Sequence, residues 1–162
     1  MSSLMDLTLP PGLGLDDLGV IVVDHGSKRA QSNDMLLEVV ALFQSLCDYR
    51  IVEPAHMELA EPSIDTAFDR CVERGARVVV CHPYFLLPGR HWSQDIPRLA
   101  RAAAARHPGV QWLVTAPLGL HEQMAGVMDE RIRHCLAHVQ GRAEECPVCA
   151  GTGACRLEPG VG

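Results

Sequence analysis

Two rhythms of apolar residues alternate along the chain. Short runs are apolar at nearly every position, near 19–24 (GVIVVD), 50–57 (RIVEPAHM), 77–82 (RVVVCH) and 110–117 (VQWLVTAP). Between them, apolar residues recur every three or four positions, as on a helix face. Leu36, Leu37, Val40, Phe43 and Cys47 share such a face within 33–47. Ile64, Phe68, Cys71 and Val72 share another, in a segment with Pro62 in its first turn and Gly75 at its end. A third helix is predicted from Ser93 to just before Pro108-Gly109, and a fourth from His121 to Gly141. Strand followed by helix, repeated, predicts a parallel sheet covered on both faces. Right-handed crossovers then leave a small open α/β sandwich with a four-stranded parallel sheet. The boundaries expected are a loosely ordered segment at 1–18, an α/β domain at 19–141 and a Cys-rich tail at 142–162.

Composition narrows the function. At 162 residues, 48% hydrophobic and 21% charged, the chain suits one folded domain. A net charge of −6 argues against a nucleic-acid backbone as partner, which needs a concentrated positive surface. No apolar run approaches the roughly 20 residues that span a bilayer, so no membrane partner is expected. Residues 1–18 contain no Lys or Arg and read as neither signal nor transit peptide. All but one of the 14 cationic side chains are Arg, the exception being Lys28. Seven cysteines, an odd number, do not read as a secreted disulfide scaffold. Cys47, Cys71, Cys81 and Cys135 sit within apolar patterns as small buried residues, whereas Cys146, Cys149 and Cys155 cluster.

Open parallel sheets bind ligands beyond the carboxyl ends of their strands. Asp24, His25, Ser27, Lys28 and Arg29 follow the first strand, and His56 and Glu58 the second. His82, Arg90 and His91 follow the third, and His121 the fourth, so five of the 8 histidines fall at one edge. "HGSKRAQ" carries no phosphate-binding glycine pattern, and neither HExxH nor GxSxG occurs. Imidazoles with a carboxylate can hold a divalent first-row metal or accept protons. His25, His91, His56 and Glu58 are the functional candidates. His82 also reads as a core residue and His121 as a helix start, while His107, His134 and His138 read as surface or cap residues.

"VVDHGSKR", "ELAEPSI" and "PYFLLPGRHWSQDIP" together resemble the short class II chelatases, the CbiX/SirB-type sirohydrochlorin chelatases. The resemblance covers about residues 19–140, and its most specific part is G-x-H-x-x-x-D-I-P, from Gly89 to Pro97. It implies a single chelatase-like (flavodoxin-like) three-layer α/β/α domain. It also implies ATP-independent insertion of Fe²⁺ into sirohydrochlorin, giving sirohaem, with cobalt or nickel insertion into a related tetrapyrrole as the alternative. His25 and His91 then correspond to the catalytic, metal-binding histidines, and Glu58 to a further metal or proton partner. Lys28, Arg29 and Arg90 are candidate clamps for the substrate's carboxylates, and Tyr84 to Leu87 a candidate macrocycle wall. Asp95 and Pro97 are expected to begin the helix that holds His91. Short members resemble half of the two-lobed chelatases, which implies a homodimer. The compartment expected is the cytoplasm for a bacterial chain, or the plastid stroma for a plant or algal chain whose transit peptide has been removed. A metal-binding or metallochaperone module and an Fe–S-regulated interaction domain on an inactive scaffold are the non-enzymatic alternatives.

The tail reads "EECPVCAGTGACRL", with C-x₂-C-x₅-C spacing. Three thiolates leave a tetrahedral site one ligand short, and Cys135, a histidine or a partner's cysteine can complete it. Such a tail resembles that of plant and algal sirohaem ferrochelatases, which implies a [2Fe–2S] cluster, with zinc as the alternative. Without a His-rich segment of the kind often found in cobalt-inserting relatives, the chain is assigned to sirohaem synthesis.

Overall fold

The computed structural model describes residues 6–160, so the expectation for residues 1–5 lies outside the described residues. Four strands, β1 (Leu18–Asp24), β2 (Ile51–His56), β3 (Val78–Pro83) and β4 (Gln111–Val114), alternate with four helices. The helices are α1 (Ala30–Leu46), α2 (Ile64–Glu73), α3 (Ile96–Ala104) and α4 (Glu122–Val139). The sheet is entirely parallel in the order β2-β1-β3-β4. The expected α/β/α architecture is therefore present. The chain divides into two compact units between Gly119 and Leu120, ahead of α4.

Strand side chains alternate between the two faces of the first unit's sheet. Ile21, Val23, Val79, Cys81, Ile51 and Ala55 pack with α2 and α3, around Phe68, Ile64, Ile96 and Ala100. Val20, Val22, Val52 and Val78 pack on the other face with Leu36 and Val40 of α1, and Leu9, Leu13 and Leu15 pack against them. Buried on both faces, β1 needs no polar position until Asp24. Each fully buried large side chain, such as Phe68 or Ile21, contributes about 1.5–3 kcal/mol. Beyond α3, Arg106 ties α3 to α2 through Asp65 and Asp69 at 2.7 and 2.6 Å, and His107 bonds Asp69 and stacks on Phe68.

Two element boundaries differ from expectation. Helix α1 starts at Ala30 rather than Asn33, because its first turn is exposed and carries no apolar period. The third helix does not start at Ser93. His91–Asp95 form a widened π turn that runs straight into α3, with the Ile96 N–H bonded to the His91 carbonyl. Pro97 brings no N–H to a normal helical ladder, and the wider turn accommodates it.

Candidate functional site

β1 lies between β2 and β3, so successive crossovers leave it in opposite directions. The C-terminal edge between β1 and β3 is the topological switch point of the sheet. His25 follows β1 and His91 follows β3, so the strand order delivers both imidazoles to this edge. Their ring centroids lie 5.0 Å apart, with the planes inclined at 70°.

The His25 loop is coupled to the chain after β2. The Met57 N–H bonds to the Asp24 carbonyl at 2.8 Å and the Glu58 N–H to the His25 carbonyl at 3.1 Å. These bonds extend the β1–β2 ladder past both strand ends and bring the Glu58 side chain to His25. The His25 Nε2 stands 3.0 Å from the Glu58 Oε1, and its Nδ1 stands 3.1 Å from the Gly26 carbonyl. Two donors that share one first-row ion at about 2.1 Å stand roughly 3.0–3.4 Å apart. The His25–Glu58 pair therefore already has the span of a coordination edge.

His91 sits at the head of the π turn, half-exposed, with its Nδ1 2.8 Å from the Asp95 Oδ2. Trp92, the next residue, turns inward and its indole N–H donates to the Thr115 carbonyl at 2.8 Å. That bond pins the turn to the end of β4. Phe85 lies 6.5 Å from the His91 ring, and Tyr84, Leu86 and Leu87 are exposed. Lys28, Arg29 and Arg90 are exposed and flank the two histidines in sequence.

The remaining rim histidines are structural. His56 is 1% exposed and pairs through Nδ1 with Asp24 Oδ1 at 2.6 Å, beneath the site rather than in it. His82 is half-buried, bonded to the Thr115 hydroxyl at 2.8 Å, and burial lowers its basicity. His121 caps the N-terminus of α4, accepting from the Gln123 N–H. Sequence reasoning missed two partners. Asp24 pairs with the buried His56 ring, and Asp95 faces His91; the His-x₃-Asp spacing of the second, one helical turn, was its available signal. Among the described residues no three His, Cys, Asp or Glu side chains converge closely enough to hold an ion. The rim is a set of paired donors, open to one side, rather than a closed cage.

In the second unit, His134 and His138 bond the Glu144 and Ala143 carbonyls, folding the tail back on α4. Cys135, Cys149 and Cys155 line a hollow of about 280 Å³ with Leu136, Val139 and Leu157. The thiols perturb one another. Backbone N–H groups of Cys149 and Val148 favour the Cys146 thiolate, whereas the bond to Cys146 pushes the Cys149 thiol up. Desolvation and Cys135 raise Cys155. Against expectation, Cys47 and Cys135 are only partly buried; Cys71 and Cys81 are fully so.

An open parallel sheet with two imidazoles and a carboxylate at its switch edge defines a small α/β protein with a donor centre at the strand ends. The chain belongs to the CbiX family, which it matches over residues 19–135. It is 56% identical over 146 residues to the chloroplastic sirohydrochlorin ferrochelatase of Arabidopsis thaliana, covering 90% of this chain and 64% of that one. A sirohydrochlorin ferrochelatase of Priestia megaterium is 32% identical over 113 residues, covering 70% and 42%. Among solved structures, SirB from Bacillus subtilis with Fe³⁺ superposes with a TM-score of 0.69 at 26% identity, over 72% of this chain and 46% of that one. The chain thus spans under two thirds of the length of these relatives.

Proposed function

We propose that the chain is a sirohydrochlorin ferrochelatase, inserting Fe²⁺ into sirohydrochlorin without ATP. The observation that carries this reading is the pairing of His25 with His91 beside Glu58 at the switch edge, within the family match. Fe²⁺ is a substrate here and must leave the protein. Two or three donors on an open rim hold it while leaving positions free for the macrocycle nitrogens. As the metal enters the ring, two pyrrole protons must leave, and a neutral imidazole within reach accepts them. His25 and His91 take that role, and Glu58 serves as further ligand or proton partner. Lys28, Arg29 and Arg90 are the proposed clamps for the substrate's carboxylates. Tyr84 to Leu87, with Phe85 beside His91, are the proposed apolar wall.

Cobalt is the second reading, favoured by a 30% identical Priestia megaterium relative named as a cobaltochelatase. The test is to mix purified protein with sirohydrochlorin and Fe²⁺ or Co²⁺ and follow the absorption spectrum. Metal-dependent spectral change, lost in His25→Ala and His91→Ala, is expected. An unaltered spectrum with both metals, or full activity in either variant, overturns the assignment.

Three further proposals accompany it. The first is an iron–sulfur group on the tail: Cys135, Cys146, Cys149 and Cys155 would hold a [2Fe–2S] cluster, which would supply one-electron chemistry, although no three of these thiols converge closely enough to hold an ion in this structure. The proposal is supported by the C-x₂-C-x₅-C spacing and by three of the thiols lining one hollow. Anaerobic preparation should give a brown protein with iron and acid-labile sulfide; stoichiometric zinc would replace that reading. A homodimer is supported by the chain's match to about half of B. subtilis SirB, 46% in one structure and 50% in another. Sedimentation should give twice the 17.6 kDa chain mass. A plastid location is supported by the Arabidopsis relative's name; no helix among the described residues is long and apolar enough to cross a membrane.

A further inference from the structure

Asp95 stands where a helix-capping residue is expected, ahead of Ile96-Pro97, yet it does not cap. Its backbone is already helical, with φ −72° and ψ −50°, and its side chain makes no bond to the following N–H groups. The carboxylate turns back one helical turn to His91, Oδ2 to Nδ1, at 2.8 Å. Its other oxygen lies 4.0 Å from the Arg98 guanidinium, beyond hydrogen-bond reach. Three-quarters buried at the base of an exposed imidazole, the carboxylate has one close polar partner among the described residues, and that partner is His91.

A carboxylate only accepts, so His91 Nδ1 must carry the proton and donate it. In the neutral ring the lone pair then lies on Nε2. The His25 ring lies beside it with centroids 5.0 Å apart, and the Phe85 centroid lies 6.5 Å away. His25 is oriented by a different device, its Nδ1 against the Gly26 carbonyl, with Nε2 against Glu58. A backbone carbonyl thus fixes one ring and a side-chain carboxylate fixes the other. Only the second can be removed by substitution.

We propose that Asp95 is a positioning residue that fixes His91 as the Nδ1–H tautomer, keeping Nε2 unprotonated for the incoming ion. The proposal rests on reading His91 as a metal-binding residue. Carboxylates behind metal-ligating imidazoles act in this way, and their loss lowers metal affinity about 10–100-fold.

The test compares the full chain with Asp95→Ala, Asp95→Asn and Asp95→Glu, in the absence of any tetrapyrrole. Long-range ¹H–¹⁵N correlation reads which nitrogen of His91 carries the proton. The expected result is Nδ1–H in the parent, Nε2–H in Asp95→Ala, and return toward Nδ1–H in Asp95→Glu. Asp95→Asn keeps the side-chain shape and serves if the alanine variant does not fold. Its amide can donate to Nδ1, so it too is expected to move the proton to Nε2. Co²⁺ titration, followed by visible absorption, should show the 10–100-fold loss of affinity in Asp95→Ala and Asp95→Asn, with Asp95→Glu returning toward the parent. An Nε2–H ring in the parent, an unmoved proton in folded Asp95→Ala or Asp95→Asn, or unchanged Co²⁺ affinity in those two variants overturns the proposal. An Nδ1–H ring with tight Co²⁺ binding but no insertion into sirohydrochlorin would count against the proposed reaction alone.

Discussion

Gly26 is the tightest backbone contact at the site, and replacing it tests whether the His25–Glu58 geometry matters. Its φ is +87°, and a Cβ built there would lie 2.0 Å from the Glu58 carbonyl oxygen and 3.1 Å from the His56 Cβ. The left-handed backbone alone costs alanine about 1–2 kcal/mol. Ordinary non-bonded contact is about 3.5 Å, so the two segments must separate by roughly 1 Å or more. That separation strains the 3.1 Å bond between the Glu58 N–H and the His25 carbonyl, a loss of about 1 kcal/mol. Gly26→Ala should therefore destabilise the protein by about 2–3 kcal/mol. The expected fall in melting temperature is about 4–12 °C.

The effect on chemistry should exceed the effect on stability. A displacement of about 1 Å in a reacting constellation can lower a rate by about 100-fold. The assay is thermal denaturation by circular dichroism, beside Co²⁺ titration and metal insertion measured well below the melting temperature. Gly89→Ala is the control: it lies in the same motif as His91, has no positive φ, and meets nothing within 4 Å. It should change stability by less than about 0.5 kcal/mol. A Gly26→Ala protein that melts with the parent, or inserts metal at the parental rate, would refute the role given to this contact.

Cys71 and Cys81 are pushed up to about 12 by burial, from an ordinary thiol value of 9.0. Neither should react with a thiol reagent at pH 8 until the chain unfolds, whereas the partly buried Cys47, Cys135, Cys149 and Cys155 of cluster-free protein should. The unfolded thiols ionise first, so this stabilisation is complete below pH 9 and is lost as pH rises toward 12. Each thiol accounts for about 1.4 kcal/mol per pH unit in that window, measurable by urea unfolding at pH 8, 9 and 10. At the acid end, desolvation raises the Asp69 carboxyl, but hydrogen bonds from His107 and Arg106 outweigh it and hold the group below its ordinary range. Its stabilisation is present above about pH 4 and is lost as pH falls through the lowered value. The stability gap between the parent and Asp69→Asn should accordingly narrow from pH 5 to pH 2.

The sheet was legible because its strands are apolar at nearly every position while its helices repeat every three or four. Helix α1 was read short because Ala30 to Ser32 are exposed and leave no apolar trace. His56 looked like a rim donor, since it ends an apolar run as His25 nearly does. Strand register decided otherwise: His56 lies directly across from Asp24 on the neighbouring strand, and the two are hydrogen-bonded to each other. Asp95 was assigned to the start of a helix because Pro97 follows it closely, and proline favours a helix's first turn. The π turn removes that role and turns the carboxylate to His91 instead. Strand order was equally hidden. Alternating strands and helices do not say which strands are neighbours, so pattern alone could not bring His25 and His91 together. The shared motif did.

The two layers of this site differ in exposure, and the proposed metal insertion would use both. Beneath the rim, the buried His56 ring bonds the partly buried Asp24 carboxylate, and removing either partner leaves a polar group unpaired at a loss of about 1–3 kcal/mol. That pair joins the ends of β1 and β2 and so fixes where His25 and Glu58 begin. Above it, His25, Glu58 and His91 are each about half-exposed, and their donors face an open edge. A closed cage of the same donors would bind more tightly and release more slowly, which suits storage. Under the proposed reaction, a rigid floor beneath an open set of donors would present the ion in one geometry and would give it up to the macrocycle's ring nitrogens.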